Sequence, residues 1–144
     1  MAKEAIAVGA VRSRVIDIDE QRVVSFLGEN VRIYATPALI NDVETACLEF
    51  LLEYLDAGEN SVGTSVNIQH TGATLLGMNV EISFKVTQVE GRAITFEVTA
   101  RDALETICTG IHKRFIIDVE KMRARVESKA KKAATVKPLG AAKP

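Results

Sequence analysis

The sequence predicts an α+β fold in which one antiparallel β-sheet wraps around one long central α-helix. Three observations carry this. The stretch from Thr36 to Leu55 is amphipathic with the helical period: Leu39, Val43, Ala46, Cys47, Phe50, Leu51 and Tyr54 recur every three or four residues. Further on, Val80, Ile82, Phe84 and Val86 alternate with polar residues. Glu90-Gly91-Arg92 then turns the chain, and Ile94, Phe96, Val98 and Ala100 alternate again, as in a hairpin with one buried face. Lastly, this is the only long amphipathic helix, and it must bury its stripe against a sheet.

Taken in order, Val11 to Asp19 reads as a first strand. Gln21 to Tyr34 fits either a short helix or an extended loop, and its course into Thr36 would carry it over any site at the start of the helix. That helix has clear boundaries: Thr36 as N-cap, Pro37 at the first helical position and Gly58 as a stop. Asp42, Glu49 and Glu53 fall in one arc, read as the solvated face opposite the apolar stripe. Glu44 stands apart, on the flank of Ile40, Leu51 and Leu55, where it should be partly buried. A carboxylate removed from water needs a partner, so Glu44 is either a satisfied structural acid or a functional one.

The next strand places Val62, Thr64, Val66, Ile68 and His70 on one face and Gly63, Ser65, Asn67 and Gln69 on the other. A histidine there is by itself an ordinary structural residue. After a loop around Thr71–Thr74 comes the hairpin, and then a last strand from about Glu105 to Val119 without clean alternation. From Glu120 the composition turns to Lys, Arg and Ala. A short helix to about Ala134 and disorder from Lys137 to Pro144 are expected, so residues 1–122 form the domain and 123–144 a basic C-terminal tail. One strand, one helix and four strands in meander make the hotdog arrangement. The free edges of so small a sheet favour a homodimer by sheet extension.

Composition narrows the class. A hydrophobic fraction of 47%, a charged fraction of 26% and a formal net charge of −1 describe a globular domain without a whole-domain nucleic-acid footprint. Cys47 and Cys108 lie in apolar surroundings and read as buried thiols in a reducing compartment. No stretch is long enough for a membrane span, and Met1–Glu4 opens no signal-peptide core. A cytoplasmic location is expected.

At this point the residues resemble a known family. Ala35-Thr36-Pro37-Ala38 with Val43-Glu44, then Ser61-Val62-Gly63-Thr64 running to His70-Thr71, then Gly110-Ile111-His112-Lys113-Arg114 are similar to the hotdog thioesterases of the fluoroacetyl-CoA thioesterase type, over about Val8 to Lys121. The resemblance implies an acyl-CoA thioester hydrolase with Thr36, Glu44 and His70 catalytic. It implies Gly63 as a backbone donor to the thioester carbonyl, Arg114 near coenzyme A, and an active site shared between the subunits of a homodimer. His112 also matches and reads as structural. No metal or separate cofactor is implied, coenzyme A being part of the substrate.

The residues agree with these roles. A helix N-terminus at Thr36 favours developing negative charge, Glu44 can act as base or nucleophile, and His70 can relay a proton. One feature departs from the family. The segment before Thr36 is shorter than in the fluoroacetyl-specific members and offers only Phe26 for their phenylalanine lid, so a different short or medium acyl group is expected.

Three competing readings remain at this level. A non-catalytic acyl-CoA-binding module would not need Thr36, Glu44 and His70 together. The tail from Lys121 as a nucleic-acid or partner arm is less expected than a solvated tail. A hotdog dehydratase would carry its histidine near the central helix.

Overall fold

The computed structural model describes residues 5–140; Met1–Glu4 and the last four residues of the tail lie outside the described residues. The elements are β1 (Val11–Asp17), β2 (Val23–Val24), β3 (Ile33–Tyr34), α1 (Thr36–Leu52), β4 (Glu59–His70), β5 (Asn79–Glu90), β6 (Ala93–Arg101), β7 (Thr106–Asp118) and α2 (Val119–Ala133). Five strands form one antiparallel sheet in the order β1-β5-β6-β7-β4. The expected order of elements is present, but the last four strands are not a plain meander. The link from His70 to Asn79 is too long for a tight hairpin and crosses the sheet, so β4 pairs with β7 and forms an edge.

The sheet wraps α1. Leu39, Val43, Ala46, Cys47, Phe50 and Leu51 are buried against Val80, Ile82, Phe84, Phe96 and Val98. Phe50 meets Phe84 and Phe96 edge-on at 5.6 and 6.0 Å. Each large apolar side chain buried there contributes roughly 1.5–3 kcal/mol, enough for the packed stripe to decide where the helix lies. The helix ends at Leu52, short of Leu55, and Gly58 (φ +86) serves the turn into β4 instead of capping.

Three local expectations are corrected. Thr36 is not the N-cap. Ala35, in extended conformation, holds that position, and its carbonyl accepts from Leu39 N–H, leaving the Thr36 hydroxyl free for another partner. The acidic arc is solvated at Glu49 and Glu53 but buried at Asp42, and all three residues meet arginines of β1 or of the segment after it. Arg12 pairs with Glu53, Arg14 with Glu49, and Arg22 grips Asp42 with two hydrogen bonds of 2.9 and 3.0 Å. Asp42, only 4% exposed, also accepts from the Tyr34 hydroxyl at 2.5 Å. Burial first, and then the Asp42 carboxylate, hold the Tyr34 phenol well above its ordinary range. The exposed pairs are screened by solvent and add little to stability. The Asp42 cluster instead anchors the segment before α1.

β4 also departs from simple alternation. Its register against β7 shifts between Gly63 and Ser65, a bulge that sets two residues against one and reverses the alternation. Ser61 and Gly63 therefore share a face with Val66, Ile68 and His70, opposite Ile116, Arg114, His112, Gly110 and Cys108 of β7. This inward row explains why β7 shows no clean hydrophobic alternation: two of its buried positions are His112 and Arg114.

The ambiguous segment from Gln21 resolves into short 3-10 turns at Glu20–Arg22 and Glu29–Val31, joined by the β2–β3 ribbon. Both cysteines are free and buried. α2 continues directly from β7, capped by Asp118, which accepts from Lys121 N–H at 3.0 Å, and buries no residue. Residues 137–140 carry no regular structure.

Candidate active site

Chemistry-bearing side chains gather at two places along β4, one of the two edge strands of the sheet. The first is where β4 ends beside the start of α1. Thr36 Oγ1 lies 2.7 Å from His70 Nδ1, so the hydroxyl released from capping is held by the histidine. The His70 ring meets Tyr34 edge-on at 6.2 Å, and Tyr34 is fixed in turn by Asp42. His70 Nε2 is buried without a hydrogen bond of ordinary geometry among the described residues. Burial lowers the His70 pKa below its ordinary 6.5, partly offset by the Gly72 backbone, so the imidazole is neutral at neutral pH and able to take a proton. Around the pair is an open cavity of about 400 Å³ whose wall includes Val24, Phe26, Ile33, Tyr34, Pro37 and Ala73. Phe26 stands at its rim, 79% exposed.

The second place is eight residues along α1, a rise of about 12 Å. Glu44 Oε2 lies 3.4 Å from Arg114 Nη1, with the Glu44 side chain 39% exposed and Arg114 only 3%. Arg114, the residue expected near coenzyme A, is thus a buried charge. Its Nε donates to Ser61 Oγ at 2.8 Å, its Nη2 to the Ser61 carbonyl at 2.9 Å, and its Nη1 faces His112 Nε2 at 3.2 Å. These contacts fix the His112 tautomer: Nε2 accepts from Arg114, so Nδ1 carries the hydrogen and donates to the Ser65 carbonyl at 2.9 Å. Fully buried and stacked on Phe96, His112 is structural, as read. Gly63 completes the group, because a Cβ there would collide with Glu44 Oε2. The glycine lets a carboxylate rest against β-strand backbone.

Of the five sequence candidates, the fold brings Thr36 to His70, and Glu44 to Gly63 and Arg114. It does not bring the two groups together within one chain. Sequence reasoning missed Ser61, which the resemblance quoted but did not use, and the Arg22–Asp42–Tyr34 cluster. A bulge cannot be read from alternation, and Asp42 lay in an arc that looked solvated.

A model of the fluoroacetyl-CoA-specific thioesterase family matches residues 18–120. The fluoroacetyl-CoA thioesterase of Streptantibioticus cattleyicolor is 36% identical over 97 residues, covering 67% of this chain and 70% of that protein. A solved structure of a fluoroacetyl-CoA thioesterase superposes with a TM-score of 0.80 at 29% identity, over 88% of this chain and 98% of the other. A hot-dog-like protein from Thermanaerovibrio acidaminovorans, 22% identical, shares the fold alone, with a TM-score of 0.76 over 85% and 91% of the two chains. The match spans both halves of the site, from before Thr36 to beyond Arg114, and the chain belongs to the fluoroacetyl-CoA-specific thioesterase family, with its hotdog fold.

Proposed function

We propose that this thioesterase cleaves short or medium acyl-CoA substrates through Thr36, Glu44 and His70, at a site completed by a second copy of the chain. The observation that carries the proposal is the split of the site along the free edge of β4. Antiparallel pairing of two β4 strands about Val66–Asn67 sets Gly63 of one copy opposite His70 of the other. Such pairing also satisfies the unpaired backbone groups of the edge. Glu44 of one subunit then faces Thr36 and His70 of its partner.

In this site the Glu44 carboxylate attacks the thioester carbonyl or takes the proton of an attacking water. The tetrahedral oxyanion is held by the Gly63 backbone N–H and by the amides at the start of α1, assisted by the Thr36 hydroxyl. The C–S bond breaks and coenzyme A leaves as thiolate; where Glu44 attacks directly, water then hydrolyses the mixed anhydride so formed, and His70 passes a proton from the water to the thiolate. Arg114 borders the thioester end of coenzyme A by holding Glu44 in place. Every step is carried by side chains, backbone and substrate, so no metal or further cofactor is required. Two free buried thiols support a reducing, cytoplasmic setting. No helix among the described residues is long and apolar enough to cross a membrane.

The cavity supports an acyl group larger than fluoroacetyl. It is open to solvent, about 400 Å³ in all, and the segment before Thr36 places only Phe26 at its rim. The test is free-thiol release from a panel running from acetyl-CoA and fluoroacetyl-CoA to octanoyl-CoA. The highest kcat/KM is expected beyond acetyl. A preference for fluoroacetyl-CoA would overturn the acyl assignment, and binding without thiol release from any member would make the chain a binding module.

The same assay gives a pH profile of known sign. Protonated His70 cannot accept a proton, so kcat/KM should rise with pH through a midpoint below 6.5 and stay level through neutrality. Burial also lowers the His112 pKa, and stability follows the same direction. Both histidines keep their contribution above 6.5 and lose it as pH falls toward their depressed folded values. A midpoint above 6.5 would remove neutral His70 from the mechanism.

A further inference from the structure

The most uneven charge in the molecule lies away from the residues assigned above. α2 carries six basic residues against two acidic ones and buries none of them, in a chain whose net charge is −1. Its first two turns border a groove of about 380 Å³ at the end of β7. Arg92, from the β5–β6 turn, and Lys121 and Arg125, one helical turn apart on α2, line it with Phe115, Ile117 and Asp118. Asp118 is engaged as the helix cap, and Arg92 lies 3.5 Å from Glu59 and donates to the Ile116 carbonyl. Lys121 and Arg125 form no ion pair among the described residues. Phe115, 41% exposed, offers a flat aromatic face beside them.

We propose that this groove holds the phosphate-bearing nucleotide end of the acyl-CoA substrate. The proposal rests on the thioesterase reading and adds to it a second recognition site. Its chemistry matches that group: cations for phosphate oxygens and an exposed ring for the purine to stack on. Its position matches as well. Phe115 and Ile117 lie on the opposite face of β7 from Arg114, but Ile116, on the face of Arg114 and opposite Ser61, also lines the groove, so the groove reaches the Glu44 side where β7 meets the first residues of β4. From Arg114 to Asp118 is about 13 Å along the strand. The pantetheine arm, equivalent to roughly four extended residues or about 14 Å, spans that interval.

The arrangement divides binding from chemistry. Lys121 and Arg125 attract and retain the nucleotide, contributing to KM, while the thioester reacts at Glu44. Because the attraction is to a multiply charged phosphate group, it should weaken with salt.

The deciding experiment compares an acyl-CoA with the matching acyl-pantetheine thioester, which lacks the nucleotide, on the full-length chain. Lys121→Ala/Arg125→Ala is set beside Lys129→Ala/Lys131→Ala, which removes the same charge from α2 outside the groove. In the groove variant KM for acyl-CoA should rise by roughly tenfold or more, the scale of one or two lost charge-assisted hydrogen bonds. KM for acyl-pantetheine should change less than about twofold, and the control variant should keep the wild-type ratio between the two substrates. Adenosine 3′,5′-bisphosphate, titrated calorimetrically, should bind the wild type and lose affinity in the groove variant alone. Equal KM changes for both thioesters, or an unchanged KM for acyl-CoA, would overturn the proposal. If the wild type hydrolyses neither thioester the functional reading fails, while the bisphosphate titration still decides the groove. Tighter binding of duplex oligonucleotide than of the bisphosphate would assign the cations to nucleic acid and overturn it.

Discussion

Glu44→Ala is expected to lower kcat/KM by about 10² or more, the scale set by loss of a general base or nucleophile. The carboxylate has one ion-pair partner, Arg114, and one steric companion, Gly63, and both shape the outcome. Removing Glu44 leaves the buried guanidinium with Ser61 and His112 only, so a loss of stability accompanies the loss of activity. Thermal unfolding separates the two: a folded variant at the assay temperature with turnover down a hundredfold isolates the chemistry. Glu44→Gln keeps the volume and should be nearly as inactive.

Gly63→Ala should also impair turnover, because its methyl group displaces Glu44 Oε2. In a Glu44→Ala background the same change meets no carboxylate and should cost little more, a non-additivity that a double-mutant cycle reads directly. Full activity in folded Glu44→Ala would leave the hotdog fold intact and remove the mechanism.

How far the sequence revealed this site depended on what each residue's neighbours were. α1 and the β5–β6 hairpin were legible because one apolar face and one period decide their packing. Glu44 was legible as an anomaly, a carboxylate on an apolar flank, but its partner was not. Arg114 lies seventy residues away, and only the pairing of β4 with β7 brings Ser61, Gly63 and Arg114 together. The alternation rule also misassigned Gly63, since the register shift at that point moves it to the face of His70. Asp42 failed for a related reason: the helical period located its arc, but not the arginines of β1 and Arg22 that cover it. Local period predicts which face a residue occupies. It does not predict which distant strand that face meets.

Mixing two nearly inactive variants should restore activity. If Glu44 of one subunit works with Thr36 and His70 of the other, a dimer of one Glu44→Ala chain and one His70→Ala chain holds one intact site and one doubly defective site. Random re-pairing makes about half of the dimers mixed, so the mixture should recover roughly a quarter of wild-type activity. Co-expression with two different tags, and isolation of the mixed species, should give about half the wild-type rate per dimer. Thr36→Ala with His70→Ala is the internal control: those residues touch within one chain, at 2.7 Å, so every site in that mixed dimer keeps a defect. The distinction is sharp because a site within a single chain gives no recovery in either mixture. Failure of the first mixture, with dimers shown to form, would require α1 and β4 to rearrange within one subunit across the roughly 12 Å rise that now separates Thr36 from Glu44. Recovery would instead make the free edge of β4 the element that joins the reaction to the assembly, since any change that weakens its pairing would then lower activity without touching a catalytic side chain.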